Sequence, residues 1–222
     1  FWSVALGELY GGSTDTRFAN DMHELVGWIA SDGPPPRSLE EAVFQERRLD
    51  SLRTRNAAAY KAVHALLMRR GARDFVTGRA TELMTFFNDG IDVHHVFPRA
   101  WCKRRGIPPR IYNSILNKTP LSRRTNIRLG GDAPSAYLAR IERQDGVAPA
   151  ALDEILRSHL IEPDLLRADD FEGFLAARRD ALSTLIAEAM GKAVVPGVAP
   201  EGAEPPEADD EDDETDPEGL AA

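Results

Sequence analysis

The sequence predicts a mainly α (α+β) fold, a helical domain built around one short β unit near the middle of the chain. Three observations predict it. Apolar residues recur at helical spacing in several windows, each bounded by capping residues, proline or glycine. Extended stretches are few: one closes at Asp92-Val93-His94-His95, a second is Thr119-Pro120-Leu121, and Asp74 to Gly78 reads as a strand or an extended link. The 222 residues, 42 % of them hydrophobic, suffice for one good core with room for a small appended unit.

The elements follow in order. Phe18, Met22, Leu25, Val26 and Ile29 recur at helical spacing after the capping group Ser13-Thr14-Asp15. Ser38-Leu39-Glu40-Glu41 has capping-box form and predicts a helix after Pro34-Pro35-Pro36. Asn56 to Arg70 reads as a third helix, ended by Gly71. Pro98 ends the strand that carries the two histidines, since it fixes its own φ and offers no ladder N–H. Arg99 to Arg105 is a short helix stopped by Gly106. After the second strand Ser122 is an N-cap, which places Arg123, Arg124 and Asn126 in the first turn of a helix. Pro134 opens a helix over Ser135 to Arg143, and Ala150 to Leu160 and Phe171 to Met190 complete the helical set. No internal repeat is present.

Charge divides the chain. Nine basic residues lie between Val93 and Gly131, uninterrupted by Asp or Glu: Arg99, Lys103, Arg104, Arg105, Arg110, Lys118, Arg123, Arg124 and Arg128. Such a concentration in a chain of net charge −9 is the footprint of a polyphosphate partner. A solvated basic helix face is the competing reading for Lys103-Arg104-Arg105. Phe97, Trp101 and Tyr112 interleave with these charges and read as core rather than stacking platforms. Residues 201–222 carry eleven Asp or Glu and no Lys or Arg, so without them −9 becomes about +2. Too polar to offset its ordering entropy, the stretch after residue 192 reads as an acidic disordered tail, 193–222.

Cys102 is the single cysteine, which excludes an intrachain disulfide and a four-cysteine zinc knuckle. No apolar run is long enough to span a membrane and no signal peptide is visible, so the cytoplasm is the expected compartment. The chain opens Phe1-Trp2-Ser3 without Met, as a piece of a longer protein would. His23, His64 and His159 read as surface or satisfied core residues.

The informative constellation is His94-His95, then Asn117 twenty-two residues after the second histidine, then Asn126 nine further on. With Pro98 behind the pair and Ser122 before the last Asn, this spacing resembles an HNH nuclease core, the ββα-metal finger. The run from Asn113 to Asn126 is also similar to the HNH domain of RNA-guided CRISPR nucleases. Phosphodiester hydrolysis needs a base for the attacking water and a cation to stabilise charge on the phosphate and leaving oxygen. Imidazole titrates near neutrality, and Mg²⁺ keeps most of its waters and needs few protein ligands. The resemblance implies His95 as general base, His94 and Asn126 as ligands of one Mg²⁺ or Mn²⁺ ion, and Asn117 as the residue pinning the loop that carries the base. Arg99, Lys118, Arg123 and Arg124 are the candidate nucleic-acid contacts. In a flat strand His94 and His95 diverge, so both serve one site only if the chain bends at or just after His95.

The flanks extend the likeness. Phe1-Trp2 through Leu9-Tyr10-Gly11, Leu52-Arg53-Thr54-Arg55-Asn56 and Ala133-Pro134-Ser135-Ala136-Tyr137-Leu138 resemble the C-terminal half of GmrSD-type modification-dependent (type IV) restriction endonucleases. The resemblance covers most of the chain up to Lys192 and implies antiviral defence, with base-modified phage DNA as substrate. It also implies an NTP-binding domain upstream of Phe1, since no Gly-rich phosphate loop occurs here. The expected organisation is a helical region (1–88), the nuclease core (89–143), a second helical region (144–192) and the tail (193–222). Two alternatives stay open: an RNA-cleaving or toxin-type HNH nuclease, and a non-catalytic DNA-binding module of the same fold.

Overall fold

A computed structural model of the chain describes residues 1–7, 14–31, 33–54, 56–81 and 91–197. In order these form α1 (Trp2–Gly7), α2 (Thr14–Ser31), α3 (Arg37–Glu41), α4 (Arg48–Ser51), α5 (Ala58–Arg69), β1 (Ile91–His95), α6 (Arg99–Arg104) and α7 (Pro109–Tyr112). A 3-10 turn (Ile115–Asn117) leads to β2 (Lys118–Ser122), α8 (Arg123–Leu129) and α9 (Pro134–Arg140) with its π turn (Ile141–Asp145). Then come α10 (Pro149–Ser158), α11 (Pro163–Arg167) and α12 (Phe171–Met190). The fold is mainly helical with one small sheet, the coarse class that was expected. The Ser13 cap, the Leu9-Tyr10-Gly11 motif, Arg55 and residues 198–222 of the acidic tail lie outside the described residues, as does the Asp92 side chain.

Local signals explain the long helices. At α12, Asp170 accepts the Gly173 N–H at 3.0 Å, and Gly191 closes the other end in the left-handed conformation. Gly71 and Gly106, with φ of +90° and +69°, end α5 and α6 as expected. Two expectations are corrected. Ser38 does not cap a helix: α3 starts after Pro36, whose fixed φ serves the entry, and Glu24 on α2 accepts the Arg37 N–H at 2.8 Å. Asp74 to Gly78 is neither strand nor extended link but a turn, closed by Gly78 N–H to the Asp74 carbonyl at 2.8 Å. The Asp74 N–H donates to the Arg79 carbonyl at 2.8 Å beside an isolated antiparallel bridge between Arg73 and Ala80, and its carboxylate is committed elsewhere.

That commitment organises the β2–α8 corner. Asp74 Oδ1 takes the Thr77 N–H (3.0 Å) and the Thr125 hydroxyl (2.6 Å), while Oδ2 takes the Ser122 N–H (3.0 Å). Burial alone would raise this carboxyl; the bonds from Thr125, Thr77 and Ser122 outweigh it and hold the group below the usual carboxylate range. Ser122 Oγ in turn accepts the Thr125 N–H at 3.2 Å, so Ser122 caps α8 as its sequence position suggested.

Two apolar clusters flank the sheet. One joins α1, α4 and α5 to the C-terminal half of α12 through Leu6, Leu49, Leu67 and Ile186. The other joins Phe97, Trp101, Tyr112, Tyr137 and Leu156 to Phe171 and Phe174 at the N-terminal end of α12. The segment between β1 and β2 feeds both, sending Ile115 and Leu116 to the first and Phe97 and Tyr112 to the second. Cys102 is buried in the second cluster, and burial pushes its thiol up to about 12, which fits an inert core residue.

β2 carries a buried histidine on its flank. The fully buried His159 bonds Thr119 Oγ1 through Nδ1 (2.7 Å) and the Arg73 carbonyl through Nε2 (2.7 Å). A carbonyl only accepts, so Nε2 carries the proton and Nδ1 accepts from Thr119. Burial lowers the His159 pKa to about 4; the Arg73 carbonyl and Asp74 oppose the shift, and Arg178 and Arg73 add to it. Because the folded value lies below the unfolded one, the unfolded chain takes up this proton first. Stability is present above about pH 6.5 and is lost as pH falls toward 4, by on the order of 3 kcal/mol for this group. Urea unfolding across pH 4 to 7 is expected to show this loss and His159→Gln to flatten it; an unchanged slope in the variant would refute the assignment.

Candidate functional site

β1 and β2 pair antiparallel, with His94 opposite Thr119 and His95 opposite Lys118. β1 stops at His95, and the chain bends over Val96 and Phe97 before Pro98 opens α6. The bend is where the divergence of adjacent strand side chains required it.

Three groups hold the bend. The Val96 N–H donates to the Asn117 carbonyl at 2.8 Å, carrying the ladder one residue past β1. The Asn117 side chain accepts the Phe97 N–H (2.8 Å) and donates to the carbonyls of Phe97 and Tyr112 (3.0 Å each). Asn117 is 0 % exposed, so both its amide protons and its oxygen are used inside the protein. The Tyr137 hydroxyl, also buried, donates to the Val96 carbonyl at 3.0 Å, and burial raises its pKa. Tyr137 belongs to the Ala133–Leu138 motif, whose contribution to this loop was not evident from its position in the sequence.

His95 is half-buried, with Nε2 3.0 Å from Asn113 Oδ1 and its ring edge-on to Tyr112 at 6.1 Å. With the amide oxygen facing it, Nε2 bears the proton and Nδ1 is the basic nitrogen of the neutral ring. Asn113 is the residue that sequence reasoning passed over: beside Tyr112 and Ser114 it looks like turn chemistry, and nothing local marks it as a partner of a histidine eighteen residues away.

The remaining candidates divide into groups. Asn126 lies in α8, partly exposed, and α8 packs against both β1 and β2, so the sheet and the helix form one corner with His94 and His95 at the end of β1. Arg123 and Arg124 are exposed at the start of α8. Arg99 is half-buried in the first turn of α6. Lys118 turns toward the N-terminal helices, its ammonium 5.9 Å from the Tyr60 ring and 3.4 Å from the Arg53 carbonyl. Among the described residues no group of three His, Cys, Asp or Glu gathers to hold a metal. The expected donor set, one imidazole and one amide oxygen, brings no carboxylate. It suits an ion that keeps most of its waters and takes anionic ligands from a phosphate.

Of the other histidines, His23 is exposed on α2, and His64 and His159 are buried in the core. Phe97, Trp101 and Tyr112 are buried core residues, as expected. Lys103, Arg104 and Arg105 are exposed; Arg104 bonds the Gly131 carbonyl and Arg105 covers the Trp101 ring at 4.7 Å.

No family model matches the chain. The chain is similar to an uncharacterized protein of Methanocaldococcus jannaschii, 26 % identical over 176 residues that span 74 % of this chain and 30 % of the relative. It thus spans about a third of that relative's length. Among the described residues no helix is long and apolar enough to cross a membrane.

Proposed function

We propose that this chain is a metal-dependent DNA endonuclease domain of the HNH, ββα-metal type, the nuclease part of a prokaryotic modification-dependent restriction protein. One observation carries the reading: a histidine at a strand end has one ring nitrogen fixed by an amide oxygen, on a bent loop clamped by a fully buried asparagine. A core asparagine that spends all its bonds on that loop, and a second that sets the tautomer of the histidine, are what a positioned general base needs. His95 Nδ1 takes a proton from water as the water oxygen attacks phosphorus and the P–O bond to the leaving strand breaks. His94 and Asn126 are the residues that would hold a single Mg²⁺ or Mn²⁺. When bound, the ion supplies electrostatic stabilisation to the phosphate and the leaving oxygen. Arg123 and Arg124, exposed on the same corner, serve the strand backbone. Base-modified phage DNA as substrate, an upstream NTP-binding domain and a cytoplasmic location belong to the same proposal.

The test is cleavage of plain duplex DNA, duplex carrying modified cytosine, and matched RNA by this chain. Nicking of DNA that requires Mg²⁺ or Mn²⁺ and stops in EDTA is expected. Preferential RNA cleavage would move the substrate to RNA. Absence of cleavage on every substrate would leave a binding module and overturn the enzyme reading.

A further inference from the structure

A second arginine-lined feature lies beside the loop rather than at its histidines. A cleft of about 900 Å³ opens between the α4 end, the α6–α7 connection and the start of α12. Its apolar wall includes Trp101, Ile107, Ile111 and Leu175. Arg53 and Arg110 line it as well, and among the described residues neither has a carboxylate partner. Arg53 Nε is buried with no hydrogen bond. Burial, and then the charge of Arg110, depress the Arg53 pKa, so the two guanidiniums feel one another across the cleft wall.

Two like charges lining one cleft without a paired carboxylate repel one another, and an anion bound between them would relieve that repulsion. The backbone keeps them there. The Ile115 N–H donates to the Leu52 carbonyl at 2.8 Å, and Lys118 Nζ to the Arg53 carbonyl at 3.4 Å, tying Arg53 to the segment that leads into β2. Arg110 sits in α7, three residues before Asn113, which holds His95.

The acids that line the cleft are differently employed. Asp50 pairs with Arg179 at 2.6 Å, Asp169 takes the N–H and hydroxyl of Ser135, and Asp170 caps α12. Their negative charges, with that of Glu172, disfavour a second phosphate beside them and suit the N–H or O–H donors of a base or sugar. The volume lies within the range of small-molecule sites.

We propose that this cleft binds one nucleotide unit, its phosphate on Arg53 and Arg110 and its sugar and base toward the apolar and carboxylate walls. The inference rests on the nucleic-acid reading above and adds to it a contact one short helix away from His95. The nucleotide is either part of a bound strand or a free mononucleotide, and the two sources are separable.

Binding is measured in EDTA, so that cleavage does not intervene, by anisotropy of a labelled 30-base-pair duplex and by competition with thymidine monophosphate. For a strand-derived nucleotide, Arg53→Gln/Arg110→Gln is expected to weaken duplex binding tenfold or more and to lower the salt slope by about one to two charges. Arg53→Lys/Arg110→Lys is expected to keep the slope. For a free nucleotide, monophosphate binding disappears in the Gln variant while duplex binding stays. Circular dichroism reports folding, and the exposed Arg110→Gln alone serves if the double variant does not fold. Duplex and monophosphate binding both unchanged, or no binding of either by the parent, overturns the proposal. Arginine-dependent binding without any cleavage by the parent removes the nuclease reading and leaves the cleft. Cleavage with arginine-independent binding does the reverse.

Discussion

His95→Ala is expected to lower the rate of DNA cleavage by about 10²–10⁴-fold or more while duplex affinity stays within about twofold. The asymmetry follows from the geometry. His95 is partly exposed at the end of β1, where the amide oxygen of Asn113 and the edge-on Tyr112 ring contact it, so truncation removes a base without opening a core. The cations offered for binding, Arg123 and Arg124 on α8, stand on a different element and keep their places. Mg²⁺ affinity, assigned to His94 and Asn126, is expected to change little. The measurement is single-turnover cleavage of a labelled duplex together with anisotropy of the same duplex. Wild-type rates in the variant would remove His95 as the base. Equal losses of rate and affinity would make it a binding residue instead.

The parts of the fold that were legible share a physical origin. α2, α5 and α12 are long enough for the 3.6-residue period to show, and Gly71 and Gly191 mark two of their ends with a backbone conformation that side chains resist. The four helices α1, α4, α7 and α11 run only four to six residues, too short for a period, and exist because the clusters on either side of α12 hold them. At the candidate site, His94, His95, Asn117 and Asn126 were singled out because their spacing along the chain resembles that of an HNH core. Asn113, Asp74 and Tyr137 were not, because their partners are eighteen, forty-eight to fifty-one and forty-one residues away. Their side chains are ordinary in local context; only the tertiary pairing makes them informative. Arg178 is the extreme case. It stands beside Arg179 and Asp180 with nothing local to set it apart, yet it is 1 % exposed, its Nη2 3.4 Å from the Lys118 carbonyl, with burial lowering its pKa to about 9.

Asn117→Ala is expected to damage stability and cleavage together, and that pairing separates it from His95. The substitution takes the bonds of the Phe97 N–H and the Tyr112 carbonyl and leaves the Phe97 carbonyl only the weak Cys102 thiol donor at 3.6 Å. Each unmet buried group costs about 1–3 kcal/mol, so a loss of a few kcal/mol overall is expected. At roughly 2–4 °C per kcal/mol for a chain of this size, the thermal midpoint falls by about 5–15 °C. Below that midpoint the variant is still folded, but the bend after His95 is no longer clamped, and displacement of a catalytic group by about 1 Å costs on the order of 10²-fold in rate. Asn117→Asp is the sharper probe. It conserves size and keeps an acceptor for the Phe97 N–H, but its second oxygen meets two carbonyls where Asn117 donates. Asp is therefore expected to be no better than Ala in either measurement. Thermal denaturation and cleavage of the three proteins decide the matter. An Asp variant with the wild-type midpoint and rate would show that the two donated bonds contribute nothing, and the organising role of Asn117 would fall.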